Sequence, residues 1–370
     1  MSERWLSQRA QRFESSGIRR MFDLAKTMKN PVNLSIGQPD FDVPEPVKEA
    51  CIDAIRAGRN GYTITQGIPE LRDKFALRIE HEYPGQDRQV MITSGTTGAL
   101  VLAFMAVVNP GDEVILLDPY FVMYPPLVEL VGGQAKILDA TSDFQVDLDR
   151  VEQAITPKTK LIVLNSPGNP SGVVAKPHVI KALAEIAARH DVLLISDEIY
   201  SHFCFDEPFQ SPAQSNRNVL VIDGLSKSHG MTGWRLGYCH GPAELIETMT
   251  KLQQFTFVCA PQPVQWAALA ALDYDTHAYI ATYRTKRDRI VAGLRDRFDL
   301  VVPDGAFYAF PRVPWGTDAE FVQACVQANL LVIPGSIFSR RNTFFRISFA
   351  ADDRVIDQGI EILNRVAVRG

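Results

Sequence analysis

Seven short apolar runs, at 89–93, 113–117, 135–138, 160–164, 192–196, 219–222 and 236–240, constrain this chain more than any other feature. Each is followed by small or polar residues, and amphipathic or apolar stretches of helical period lie between most of them. Strand alternating with helix implies a mostly parallel sheet covered on both faces. The runs at 160–164 and 192–196 are almost continuously apolar, as parallel strands buried on both sides must be. In such a sheet, ligands bind beyond the carboxyl ends of the strands. The unusual residues of this sequence cluster there: Gly95 to Thr97, Phe121, Asn169, Asp197, Tyr200 and Lys227.

The flanking segments read differently. Residues 4–29 show helical spacing at Ile18, Met21, Phe22 and Ala25, and 32–36 reads as a short strand. Beyond 300 the pattern changes to short strands at 300–302, 307–310, 330–333 and 344–348, with helices at 318–328 and 353–367. The expected organisation is an α/β chain with a large domain at 46–285 and a smaller α+β domain built from 1–45 and 286–370.

Composition excludes several classes. A net charge of -5 gives no basic surface for nucleic acid or an anionic membrane. The five cysteines are scattered, without a Cys-x-x-Cys pair, and read as small buried residues rather than a disulfide framework or metal ligands. No run approaches the ~20 apolar residues of a membrane span. The charged N-terminus lacks a signal-peptide core, which leads to the expectation of a cytoplasmic protein.

Chemistry concentrates in Gly224-Leu-Ser-Lys-Ser-His-Gly-Met-Thr-Gly-Trp-Arg-Leu-Gly-Tyr238. A lysine among turn-forming residues can present its amine to a cavity, where it can form a Schiff base with an aldehyde cofactor. A pyridine aldehyde needs four further things. Asp197, at the end of a buried strand, has the sign to keep a ring nitrogen protonated. Asn169 and Tyr200 can serve its phenolic oxygen. Gly95, Thr96, Thr97 and Arg235 can cradle a phosphate at the start of a helix. Phe121 can stack on a ring. Singly, each has a plainer explanation: a helix cap, a core aromatic, a surface ion pair. Jointly they do not.

The segments Ser35-Ile-Gly-Gln-Pro-Asp40, Gly61-Tyr-Thr63, Ser94-Gly-Thr-Thr-Gly98, Asn165-Ser-Pro-Gly-Asn-Pro-Ser-Gly172, Asp197-Glu-Ile-Tyr200, Ser226-Lys227, Gly233-Trp-Arg235 and Phe345-Arg-Ile-Ser348 resemble the class I/II pyridoxal-phosphate aminotransferases of fold type I. The likeness extends over essentially the whole chain. It implies a seven-stranded-type sheet in the large domain and pyridoxal 5′-phosphate as cofactor. It makes Lys227 the Schiff-base lysine and proton shuttle, Asp197 the pyridinium partner, and Asn169 and Tyr200 the ligands of the ring oxygen. Arg235 and the 95–97 turn match the phosphate site. Tyr62 resembles a tyrosine that reaches the phosphate of a neighbouring subunit, which implies a homodimer with shared sites. Arg346 matches the arginine that grips the substrate α-carboxylate, and Gly37 a backbone contact to it. Many relatives place a phosphate-binding serine three residues before the lysine. Here that position is Gly224, and Ser226 is the neighbouring hydroxyl in the cofactor set.

The reaction implied is a ping-pong exchange of an amino group between an L-amino acid and a 2-oxo acid. An acidic donor needs a second cation near its side chain, and the sequence offers no obvious one. Phe13, Ile18, Tyr62, Phe121 and Phe257 can line an apolar pocket, which points to a neutral or aromatic donor and leaves aspartate open. The rival is a carbon–sulfur β-lyase on the same cofactor, which shares every motif above.

Overall fold

The computed structural model describes residues 5–13, 15 and 17–368. Its strands are β1 (Val32–Asn33), β2 (Arg88–Thr93), β3 (Glu113–Asp118), β4 (Gln134–Asp139), β5 (Thr159–Asn165), β6 (Leu193–Asp197), β7 (Val219–Gly224), β8 (Gly237–Pro242), β9 (Tyr308–Ala309), β10 (Leu330–Leu331), β11 (Ile333–Pro334) and β12 (Phe345–Ser348). Seven of them form one sheet in the order β2-β8-β7-β6-β5-β3-β4. All neighbours are parallel except at β8, which runs antiparallel to β2 and β7. The apolar runs are thus the strands of one mostly parallel sheet.

Helices cover both faces, and the alternation along each strand decides which side each residue feeds. Ile162 and Leu164 pack with the helices Glu45–Arg56, Pro69–Glu82, Pro177–Arg189 and Gln262–Ala271. Leu161 and Val163 pack the other way, with the helices Gly95–Val107, Tyr124–Leu130 and Ala243–Gln254. Proline in the first turn starts the helices Glu45–Arg56, Pro69–Glu82, Pro177–Arg189 and Gln262–Ala271, where its missing N–H costs nothing.

The remaining core surrounds the antiparallel sheet β11-β12-β9 and the helices His277–Leu294, Asp318–Gln327 and Asp353–Ala367. A capping box between Thr317 and Glu320 starts the second of these. The last buries Ile356, Ile362, Leu363 and Val366 along one stripe.

Three expectations change. The long N-terminal helix is two short ones, Gln8–Gln11 and Gly17–Ala25. Residues 4, 14 and 16 and the Phe22 side chain, all within that expectation, lie outside the described residues. The strand at 32–36 shortens to β1, because Ser35 turns its N–H and hydroxyl back to Asn33 Oδ1. At 300–302 there is no strand; the chain runs unpaired into Pro303 and joins the rest through the Cys204–Gly305 bridge. The helix Leu148–Ala154 was also not expected; Asp147 caps it by accepting from the Arg150 N–H.

Candidate active site

Register places the site. Asn165 pairs with Asp197 and Asp197 with Ile222 across adjacent strands, so the ends of β5, β6 and β7 emerge side by side. Gly224 pairs with Gly237 and Gly237 with Thr93, which brings the start of the Gly95–Val107 helix to the same edge. A cavity of about 280 Å³ opens there. Gly37, Thr96, Thr97, Phe121, Asn169 and Asp197 line it. So do Tyr200, Ser226, Lys227, Arg235 and Arg346. Strand ends, the Gly37 loop and β12 thus contribute to one space.

Lys227 stands not in an open loop but on the single helical turn Leu225–Ser228 at the end of β7. That turn aims its Nζ at the carbonyl of Gly37, 2.7 Å away. Burial pushes the amine down to about 8, with the charges of Arg346 and Arg235 adding and Asp197 opposing. A lysine so placed keeps a minor but appreciable neutral fraction near physiological pH, where an ordinary lysine has almost none.

Asp197 is 3% exposed. Its Oδ2 accepts from the Tyr124 hydroxyl at 2.6 Å and its Oδ1 from the Ile199 N–H at 3.4 Å. Burial raises its carboxyl to about 6, although both bonds and the charge of Lys227 pull it back. No ion pair reaches it among the described residues. A cation beside it would restore its ionisation.

Arg346 is the largest fully buried side chain among the described residues. Its Nη1 donates to Asn169 Oδ1 at 2.9 Å and its Nη2 to the Ser35 carbonyl at 2.8 Å. The Nε, also buried, has no partner. Among the described residues no carboxylate pairs with this guanidinium. A buried unpaired charge is costly enough that it marks a place for an anion. Asn169 is fixed from behind: its N–H donates to Asn165 Oδ1 at 2.9 Å, and Asn165 Nδ2 donates to the Asp197 carbonyl at 3.1 Å. With its Oδ1 occupied by Arg346, Asn169 keeps its amide N–H groups for the cavity.

At the opposite end, the Gly95–Val107 helix begins with free backbone N–H groups beside Thr96, Thr97 and Arg235. Arg235 holds a left-handed backbone, φ 56°, and its Nη1 donates to the Thr232 carbonyl at 3.1 Å. A non-glycine residue there is strained, and such strain gathers at functional sites. Gly95 itself lies against Arg235, a Cβ at Gly95 falling 2.8 Å from Nη2. At Gly224 a side chain would press on the Gly237 Cα at 3.1 Å and the Leu236 carbonyl at 3.2 Å. The close pairing of β7 and β8 thus leaves little room for a side chain at Gly224. Ser226 is buried and lines the cavity.

Phe121 reaches the cavity from a loop tied down at Asp118. That carboxylate accepts from Ser339 Oγ at 2.5 Å and from the Arg340 N–H at 2.7 Å. Tyr62 is not brought in: it stands 86% exposed, away from this chain's own cavity. Phe13 and Phe257 do not line the cavity either, whereas Ile18 does, with Ile36 and Ile199.

Three contributors escaped sequence reasoning: Tyr124, Asn165 and Tyr308. Tyr308 lines the cavity, and its hydroxyl is 2.8 Å from that of Tyr200. The signal for it was a tyrosine inside an otherwise apolar strand, since a buried phenol needs a partner for its hydroxyl.

The family model for aminotransferase class I and II matches residues 29–363 of this chain. A probable aspartate aminotransferase of Methanocaldococcus jannaschii is 36% identical over 374 residues, covering 98% of this chain and 99% of that protein. The aspartate/prephenate aminotransferase of Thermus thermophilus is 35% identical over 386 residues, covering 99% and 100%. Among solved structures, the Thermus thermophilus aspartate aminotransferase with maleate superimposes with a TM-score of 0.92 at 34% identity, covering 98% of this chain and 99% of that one.

Proposed function

This chain belongs to the class I and II aminotransferases, and from that premise we propose that it uses pyridoxal 5′-phosphate to take the amino group of a neutral or aromatic L-amino acid. Its activity is that of an aminotransferase, a transfer of nitrogen to a 2-oxo acid. What carries the finer reading is the pairing, in one cavity, of a depressed lysine with a buried arginine that has no anion.

The residues fit the cofactor. Thr96, Thr97, Ser226, Arg235 and the free N–H groups of the Gly95–Val107 helix would hold its phosphate. Phe121 would lie against the ring, and Asp197 would face the ring nitrogen. Asn169 and Tyr200 would donate to the phenolic oxygen. When bound, the group supplies an aldehyde for the amine and a ring that draws electrons from the carbon losing its proton.

The chain's own part is positioning and proton transfer. Arg346 and the Gly37 backbone would orient the α-carboxylate, with the guanidinium N–H groups that Asn169 and Ser35 leave unused as donors. Lys227 Nζ, which its depressed value lets act in the neutral form far more readily than an ordinary lysine, would take the α-proton and return it to the acceptor carbon. Asp197, its two oxygens already accepting from Tyr124 and Ile199, would be held anionic by a ring cation beside it.

We place a second subunit against the face that carries Tyr62, Ile64 and Phe255, with Tyr62 reaching the partner's phosphate site. Its support is the exposure of those apolar side chains, 86%, 50% and 87%. The 60–67 loop is tied to this region through Gln253 Nε2, which donates to the Thr65 carbonyl at 2.6 Å.

The donor follows from charge. Among the described residues the cations lining the cavity are Lys227, Arg235 and Arg346, and each has a role above. The side-chain end is left to Ile18, Ile36 and Phe121. Aspartate is the second reading, favoured by the names of the relatives; its distal carboxylate would require a cation from the partner subunit. Rates of 2-oxo acid formation from phenylalanine, leucine, kynurenine and aspartate decide. A kcat/KM for aspartate at least tenfold above the others would overturn the neutral donor. Pyruvate released from cysteine conjugates without a 2-oxo acid acceptor would favour lyase chemistry.

A further inference from the structure

Tyr200 has one hydroxyl proton, and the cofactor reading above spends it on the phenolic oxygen. Yet its oxygen lies 2.8 Å from the hydroxyl of Tyr308, and either group could donate across that contact. If Tyr200 donated to Tyr308, nothing would remain for the cofactor. We propose that Tyr308 is a positioning residue that donates its hydroxyl proton to Tyr200 and so keeps the Tyr200 proton directed at the phenolic oxygen of the cofactor. This inference rests on the assignment of Tyr200 to that oxygen.

The surroundings of Tyr308 support this direction. It stands on β9, paired with β12, the strand that carries Arg346. The Arg346 guanidinium carbon lies 4.7 Å above the Tyr308 ring. The Tyr308 hydroxyl fills the space that a side chain at Gly37 would take, a Cβ there falling 2.4 Å from it. Among the described residues, the Tyr200 oxygen is the acceptor within reach of its proton. The two rings meet edge to face at 5.6 Å and 84°, and Phe307 closes on Tyr200 at 5.3 Å. Neither phenol can turn away without breaking aromatic packing. Burial raises both hydroxyls, so both stay protonated and each has one proton to place. A donor onto the Tyr200 oxygen polarises the Tyr200 O–H outward and strengthens the bond it makes.

The consequence is spectroscopic. Donors to the phenolic oxygen stabilise its anionic form, so the loaded protein loses its proton at lower pH. Removing the Tyr308 hydroxyl should move the pH midpoint of the visible absorbance change upward. The probe is the pyridoxal-phosphate-loaded protein, titrated by absorbance as wild type, Tyr308→Phe, Tyr200→Phe and the double variant. We expect Tyr308→Phe to raise the midpoint by roughly 0.3–1 pH unit, the scale of one neutral hydrogen bond. Tyr200→Phe should raise it further, and Tyr308→Phe should add nothing in the Tyr200→Phe background. A merely structural role would leave the midpoint where it was or shift it equally in both backgrounds. An unchanged midpoint in Tyr308→Phe, or an equal shift in the Tyr200→Phe background, would overturn the proposal and leave the cofactor reading standing. A wild-type protein with no visible band after reconstitution would overturn the cofactor reading itself, and this inference with it. Should Tyr308→Phe not fold, the comparison of Tyr200→Phe with the double variant, in which neither hydroxyl is stranded, still tests it: equal midpoints are expected, and unequal ones would overturn the proposal.

Discussion

Arg346 donates to Asn169 at 2.9 Å while the Nε of the same guanidinium, equally buried, donates to nothing. The bond fixes the plane of the group and points the Asn169 amide in the opposite sense, into the cavity. Under the proposed function, this one contact prepares two binding roles, an anion site on the arginine and a donor on the asparagine.

Arg346→Gln should therefore weaken every substrate that carries an α-carboxylate, whatever its side chain. Loss of a buried, hydrogen-bonded charge partner costs about 2–5 kcal/mol, on the order of 30- to several-thousand-fold in kcat/KM. Steady-state kinetics with two unlike donors and one 2-oxo acid test this. The visible spectrum of the loaded variant should persist, since Arg346 is not among the groups assigned to the cofactor. Selective loss of one donor would contradict the assignment.

Gly237 is where a single methyl group should loosen the phosphate site. Its absent Cβ would lie 2.6 Å from both the Gly95 carbonyl carbon and the Thr96 nitrogen. Both are backbone atoms of the turn that opens the Gly95–Val107 helix, and neither can rotate aside. Overpacking of this kind costs about 1–3 kcal/mol. Gly237→Ala should raise the dissociation constant of pyridoxal 5′-phosphate roughly 5- to 150-fold, measured by absorbance titration of the cofactor-free protein.

Glu198 follows Asp197 in sequence but points to the other face of the sheet. Burial raises its carboxyl to about 8, with the hydrogen bond from Ser211 opposing and the charges of Asp223 and Glu82 adding. Asp223 is raised in the same way, to about 7. A raised carboxyl contributes stability that is complete below its unfolded value, near 4.5, and is lost as pH climbs through the folded value. Glu198→Gln should accordingly gain on the wild type as pH rises from about 5 to about 8, by on the order of a few kcal/mol, and level off above that. Buried histidines such as His229, pushed down to about 4, carry the opposite slope but cancel in the difference. Urea unfolding of the cofactor-free proteins across this range is the measurement. A constant difference would contradict it.

The sheet was legible because its strands obey the simplest rule available, continuous apolar character under two covered faces. The expected runs at 160–164 and 192–196 became β5 and β6 with one residue added or removed at their ends. The site was legible where chemistry demands an unusual residue at a strand end, as with Asp197 and Lys227. It was not legible where a residue acts through another. Tyr308 reads as one aromatic among Phe307, Phe310 and their neighbours, and only the spatial approach of β9 to Tyr200 separates it from core. Tyr124 was hidden in the same way, since its bond to Asp197 spans 73 positions of sequence. The short helix under Lys227 was missed because four residues carry no periodic signal.

The central claim is that Lys227 holds the cofactor and moves the proton, and an absorbance titration tests it most directly. Wild type and Lys227→Ala are reconstituted with pyridoxal 5′-phosphate, freed of excess, and titrated with single L-amino acids and then with a 2-oxo acid. The wild type should show a visible band that shifts to the ultraviolet with a donor and returns with the 2-oxo acid. The variant should fail to complete that cycle, with turnover lowered by at least about 10²–10⁴-fold. A Lys227→Ala protein that cycles like the wild type, or a wild type that takes up no cofactor, would contradict the account.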